Sequence, residues 1–280
     1  MLKIGKFNYL QIVQVMAHGA YLDAGQPHGK ILLPKKYLPK GFGVDDWLDV
    51  FVYFDSEDRL IATTLKPFVE VGGFAHLKIV DVNRVGAFAD WGLEKDLLIP
   101  FQEQIKKLET GRRYTVHVYR DKSTGRINGS TKIDKFLRPL NQGHYNAGDK
   151  VNILIWRKTE LGYSAIIDNA YVGMLYNNEI FRPVKYGQQL TAYIKPLRDD
   201  DRLDLTLNQT AKQTYQELPE RILEWLKQNH GSGNLTDKSS PEDIYATFAV
   251  SKSNYKKALG RLFKEKKIDI SKDRILLLDQ

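Results

Sequence analysis

Short apolar runs alternating with polar positions at period two follow one another from the N-terminus to about residue 208, and helical spacing takes over from about residue 213. Period-two alternation is what a half-buried strand leaves in a sequence, whereas apolar positions three and four apart mark one face of a helix. The strand region repeats. LQIVQV, HGAYLDAG, KILLPKKYLP and WLDVFVYFDSEDRLIATTLKP form one unit, and FAHLKIVDVN, VGAFADWG, DLLIPFQEQ and GRRYTVHVYRDKSTGRINGSTKI a second. GDKVNILIWRKTE, LGYSAIID, YVGMLYNNEIF and YGQQLTAYIKPLRDDDRLDLTLNQ form a third. Gly86 follows Gly19 by 67 residues and Gly162 follows Gly86 by 76, so each unit is a small domain's worth of chain. Each offers about five β-rich runs, the last two joined by a polar turn at 55–59, 121–126 or 198–202. Five short strands close more readily into a small OB-type barrel than they remain an open sheet with two bare edges.

The tail reads differently. Leu218, Ile222, Leu223, Trp225 and Leu226 fall at helical spacing, with Pro219 suited to a first helical turn. Ser240 caps a second helix opened by Pro241. A third helix, Ser251 to Lys267, is expected to bury Tyr255, Ala258, Leu259, Leu262 and Phe263. IDISKDRILLLD then forms a hairpin turning at Ser271 to Arg274. Three helices followed by a hairpin is the order of a winged helix. The reading divides the chain into barrels at 1–67, 68–140 and 141–212 and a winged helix at 213–280. The fold class is mainly β, with three tandem OB-type barrels and a C-terminal α+β winged-helix domain.

Composition narrows the functional classes. The 280 residues are 42% hydrophobic and 27% charged, ordinary for globular material, and there is no Cys, so disulfides and thiolate metal sites are excluded. No apolar run reaches the length of a membrane span and the N-terminus lacks a signal peptide's apolar core, which predicts a soluble cytoplasmic protein. The net charge is +8, spread as +1, +4, +1 and +2 over the four segments, so a polyanion would meet folded surfaces rather than a basic tail. Enzyme signatures are weak. GQPHGK at 25–30 has the wrong spacing for a phosphate loop, with Ile31 where Ser or Thr would hold magnesium. The six His lack metal-ligand spacing, and no GxSxG occurs. No catalysis, cofactor or metal is expected, and the Asp199, Asp200 and Asp201 run reads as a solvated turn.

HGAYLDAG, VGAFADWG and the hairpins ending RLIATTL, RINGSTK and RLDLTLN carry a resemblance. Each unit resembles an S1 domain, an RNA-binding OB fold. Three of them followed by a winged helix resemble the conserved virulence factor B (YitL-like) family of bacterial RNA-binding regulators. The resemblance implies single-stranded RNA as partner and control of gene expression, including virulence-type genes. It assigns RNA contacts to the residue before the strand-two glycine, the aromatic two after it, one strand-three residue, and the Asp and Arg flanking the last hairpin. The first unit thereby supplies His18, Tyr21, Asp55 and Arg59, with Leu33 where strand three usually has His. The second supplies Phe88, Asp121 and Arg126, with Val85 and Ile99 at the other positions. The third offers Tyr176 and Arg202; Leu161 and Ser164 fill the aromatic positions, and Tyr163 is expected to face the other way.

Physical chemistry points to the same partner, because single-stranded RNA presents unstacked bases to exposed rings and phosphates to Arg. In the third helix Lys256, Lys257 and Arg261 are expected opposite Leu259 and Phe263, free to reach phosphates. The alternatives are a DNA-binding transcription regulator that reads duplex through the winged helix, and a subunit that docks on a ribonucleoprotein.

Overall fold

The computed structural model describes residues 1–139, 144–180, 183–196, 202–207, 211–248, 250–271 and 273–278, with backbone only at 211–217. The chain forms two compact units, Met1–Leu137 and Arg138–Gln280. The first unit begins with β1 (Lys6–Met16), β2 (Gly19–Asp23), β3 (Lys30–Pro34), β4 (Trp47–Phe54) and β5 (Leu60–Thr63). They close into a barrel in the order β1-β2-β3-β5-β4. Next come β6 (Phe74–Asn83), β7 (Gly86–Asp90), β8 (Leu97–Pro100), β9 (Arg113–Arg120) and β10 (Ile127–Ser130), which pair as β10-β9-β6-β7-β8. The second unit opens with β11 (Lys150–Lys158), β12 (Gly162–Ile167), β13 (Tyr171–Tyr176), β14 (Gln189–Ile194) and β15 (Leu203–Thr206), closed like the first barrel. The expected mainly β class is thus borne out.

Two local devices recur in every barrel. Strand one pairs with strand four through its first half and strand two through its second, and the change of partner is made at a bulge: Ile12/Gln14, Ile79/Asp81 and Ile155/Arg157. A bulge adds the bend and twist that closure requires. The marker glycines explain themselves too. Gly19, Gly86 and Gly162 sit at φ +151°, +156° and +153°, with their Cα hydrogens against the neighbouring strand. A Cβ there would lie 2.2, 2.5 and 2.1 Å from the carbonyl oxygens of Leu33, Ile99 and Leu175.

Ile12, Leu22, Leu33, Val50 and Val52 fill the first barrel. Leu77, Ile79, Leu97, Ile99, Val116 and Val118 fill the second, and Phe51 and Tyr53 from β4 join that same core. Trp91 closes the seam, with ring centroids 5.8 Å from Phe51 and 6.5 Å from Tyr53, both edge-on. Burying an aromatic such as Phe51 stabilises by about 1.5–3 kcal/mol, so these two small barrels stand as one body. The third barrel has its own core of Ile153, Ile155, Ile167, Leu175 and Leu205.

The tail comprises α1 (Ala211–Gln228), β16 (Ser232–Gly233), α2 (Pro241–Phe248), α3 (Lys252–Lys264), β17 (Ile268–Ile270) and β18 (Ile275–Leu277). Its sheet runs β16-β18-β17, one short strand more than the expected hairpin. Ser240 Oγ accepts from the Asp243 amide at 3.1 Å, so the expected cap forms, and Ser251 Oγ caps α3 in the same way, accepting from the Asn254 amide at 3.1 Å. Leu218, Ile222, Ile244, Tyr255, Leu259 and Leu262 pack the centre, and the fully buried Tyr255 hydroxyl donates to Leu235 O at 2.8 Å. Two expectations are corrected. Pro219 lies inside α1, not in its first turn, because the helix extends upstream to Ala211. Phe263 is 52% exposed. At about 100° per residue it lies roughly a quarter-turn from the centre of the Tyr255–Ala258–Leu259–Leu262 stripe.

Candidate nucleic-acid interface

β2 and β7 carry the same burial pattern over their first four residues, with Ala20, Leu22, Ala87 and Ala89 in the core and Tyr21 and Phe88 half-exposed on the outer surface. Tyr21 stands between Gln14 of β1 and Leu32 of β3. Phe88 stands between Asp81 of β6 and Leu98 of β8. His18 meets Tyr21 edge-on, with centroids 5.8 Å apart at 84° and His18 Nε2 3.2 Å from the Tyr21 hydroxyl. The contact holds the phenol ring in a preset orientation.

Strand three is corrected in register. Leu33 and Ile99 are fully buried, whereas Tyr176 pairs with Gly162 as Pro34 pairs with Gly19 and Pro100 with Gly86. A one-residue slip exchanges the faces of a strand, so Leu33 and Ile99 belong to the core and the position equivalent to Tyr176 is proline in the other barrels. In the third barrel Tyr163 packs on the core as expected, while Leu161 is exposed and Ser164 half-buried.

The hairpin residues follow three patterns. Asp55 Oδ1 accepts from the Glu57 and Arg59 amides at 2.9 Å, and Arg59 holds Asp55 at 2.8 Å and Glu57 at 2.7 Å. Burial pushes the Asp55 pKa up, but the Arg59 amide and guanidinium outweigh it and leave it below the usual carboxylate range. Asp121 makes no ion pair with Arg126. Its Oδ1 accepts from Ser123 and Thr124, hydroxyls and amides alike, at 2.6–3.0 Å, and these bonds, the Ser123 hydroxyl first, hold its pKa down at about 2. Arg126 instead reaches Asp58 in the first barrel's turn, where Lys95 also binds at 3.2 Å. Arg202 is exposed just ahead of β15, and Asp199, Asp200 and Asp201 lie outside the described residues.

On α3, Lys257 and Lys264 stand directly opposite the buried stripe, with Lys256 and Phe263 on one flank and Arg261 on the other. The expected arrangement is corrected in this respect: Lys256 shares a side with Phe263 and does not oppose it. Arg261 is held by Glu265 at 2.8 Å and Lys256 lies 3.8 Å from Asp237, whereas Lys257 and Lys264 have no carboxylate partner among the described residues. The same face carries Gly260, where a Cβ would meet nothing within 4 Å. No packing demand explains a glycine in mid-helix here, so Gly260→Ala is expected to stabilise the winged helix by about 0.5–1 kcal/mol, read as a higher thermal midpoint. Sequence reasoning also missed an exposed stack of Tyr9 on Trp47, with centroids 5.3 Å apart at 24°, and Arg157 lying 4.3 Å over the Trp156 ring at the third bulge. Tyr9 and Trp47 were legible as outward positions of period-two strands; their stacking depends on the β1–β4 register.

Fold and surface together define a nucleic-acid-binding class of protein, S1-type barrels followed by a winged helix. Residues 4–65 match the S1 domain and residues 220–277 the CvfB-like winged helix domain. The chain is 24% identical over 258 residues to Uncharacterized protein YitL of Bacillus subtilis, covering 89% of this chain and 85% of that one. It is 24% identical over 287 residues to Conserved virulence factor B of Staphylococcus aureus, covering 98% and 94%. The family resemblance carried by the repeated glycines is thereby borne out. A solved multidomain protein with nucleic acid binding domains from Streptococcus pneumoniae aligns over 98% of both chains at 25% identity, with a TM-score of 0.42. Among the described residues no helix is long and apolar enough to cross a membrane.

Proposed function

We propose that the protein binds single-stranded RNA through its barrels and winged helix, without chemistry, and so regulates gene expression at the level of transcripts. The observation that carries this reading is the repeated outward ring at the second strand, Tyr21 and Phe88; a separate support is α3, whose solvent face is rich in lysine and carries one exposed phenylalanine. Rings on a barrel surface need splayed bases, which single strands offer and duplexes withhold. Lysines such as Lys257 and Lys264 add a phosphate attraction indifferent to sequence. Arg59 and Asp55 then serve to stiffen the turn beside the ring more than to bind phosphate, since Arg59 already spans two carboxylates. The relatives named as virulence factors support a regulatory setting.

The stacking element of this reading is tested by Tyr21→Ala. Loss of one ring is expected to weaken binding of a fluorescent oligouridylate by about tenfold, in the range of one stacked base, with the thermal midpoint unchanged. A variant that unfolds would place Tyr21 in the core. One that binds like the parent would remove the first barrel from the interface.

A further inference from the structure

Between the first two barrels lies a cavity of about 430 Å³, bounded by the Asp58 turn of one barrel and the outer face of β7 and β8 of the other. The volume is in the range of small-ligand sites. Its furnishings are uneven. Phe88 and Leu98 form an apolar wall, being cross-strand partners on that outer face. Arg126 and Lys95 share the single carboxylate of Asp58, which leaves the cluster with one net positive charge. Asp96 also lines the cavity, half-buried, and makes no hydrogen bond or ion pair among the described residues. Burial first, and then the negative charges of Asp90 and Asp81, push its pKa up. Every other carboxylate in the cavity has a cation: Asp58 has two, and Glu94 has Lys36.

The geometry points to a site for one guanine nucleotide, with the base on Phe88, its N–H edge on Asp96 and its phosphate on the Lys95–Arg126 cluster. An ionised carboxylate only accepts hydrogen bonds. Guanine alone among the four bases presents two adjacent donors, the ring N–H and the exocyclic amino group, and so can engage both carboxylate oxygens. Adenine and cytosine set a ring acceptor beside their amino group, and uracil flanks its one N–H with carbonyls. The inference rests on the RNA-binding reading for the strand that delivers the base, but the cavity's preference can be read without it.

The experiment uses the full chain and anisotropy with short oligouridylates carrying G, A or C at the centre, together with saturation-transfer NMR on guanosine 5′-monophosphate. The G strand is expected to bind about tenfold tighter than the others, as one bidentate base contact gives. Asp96→Asn and Asp96→Ser are expected to erase that preference without moving the thermal midpoint, and to erase the mononucleotide signal. Equal binding of all strands with no mononucleotide signal overturns the guanine site and leaves the RNA reading standing, as does a preference that survives both substitutions. A mononucleotide signal that depends on Asp96 while no strand binds keeps the cavity as a free-nucleotide site and removes the RNA reading. Absence of both removes both.

Discussion

Reversing Lys256, Lys257 and Lys264 to glutamate is expected to lower affinity for single-stranded RNA on the order of a hundredfold at low salt and to flatten the salt dependence. The three stand on the solvent side of α3, two of them without a carboxylate partner among the described residues. Each lysine that meets a phosphate releases about 0.7 of a counterion from a single strand, so losing three reduces the log–log salt slope by about two. The loss should be alike for every RNA sequence, because phosphate contacts position without specifying. Arg261 serves as the internal control. It is already held by Glu265, and Arg261→Glu is expected to cost less than Lys257→Glu. The check is a salt titration of binding by parent and variants. An unchanged slope would make the face a solvated or protein-docking surface.

The second large effect is on stability. Gly86→Ala is expected to destabilise the first unit by about 3 kcal/mol, combining backbone strain with overpacking against a neighbouring strand. The new Cβ would lie 2.5 Å from Ile99 O, at a φ of +156° that side chains rarely adopt. Relief requires β7 and β8 to separate, and that same pair carries Phe88 and Leu98. Calorimetry should show the loss in the transition of unit Met1–Leu137, where Phe51 and Tyr53 of the first barrel pack into the second barrel's core, with the winged-helix transition unmoved.

These two cases show why some of the molecule was readable from its sequence and some was not. Gly19, Gly86 and Gly162 announce the barrels because the demand they meet is local: a backbone angle and one close approach per repeat. The helix cap at Ser240 is local in the same way. The strand-two rings came from the repeat and the family resemblance it carries, and the alternation agrees, since Tyr21 and Phe88 lie between buried neighbours. Register is not local. Leu33 and Ile99 were displaced by one residue from the outward position, and a single step in a strand is the difference between core and solvent.

Partners across the fold were not legible at all. The resemblance assigned RNA contacts to both the Asp and the Arg of the second hairpin, yet Asp121 organises its own turn and Arg126 crosses to Asp58 of the first barrel, 68 residues away in sequence. Asp96 carried no motif; it matters only because β7, β8 and the first barrel's turn enclose it. On α3 the period was right and the width of the stripe was wrong, which left Phe263 beside lysines instead of in the core.

Preference for unpaired bases is what the outward rings imply. It is tested most directly by competing an RNA single strand against the corresponding RNA and DNA duplexes for the intact protein at one fixed salt concentration. The single strand is expected to win by at least about tenfold, the contribution of a single stacked ring, and Tyr21→Ala is expected to narrow the gap. Duplex binding as tight as or tighter than single-strand binding at that salt would contradict it and make the winged helix a reader of duplex.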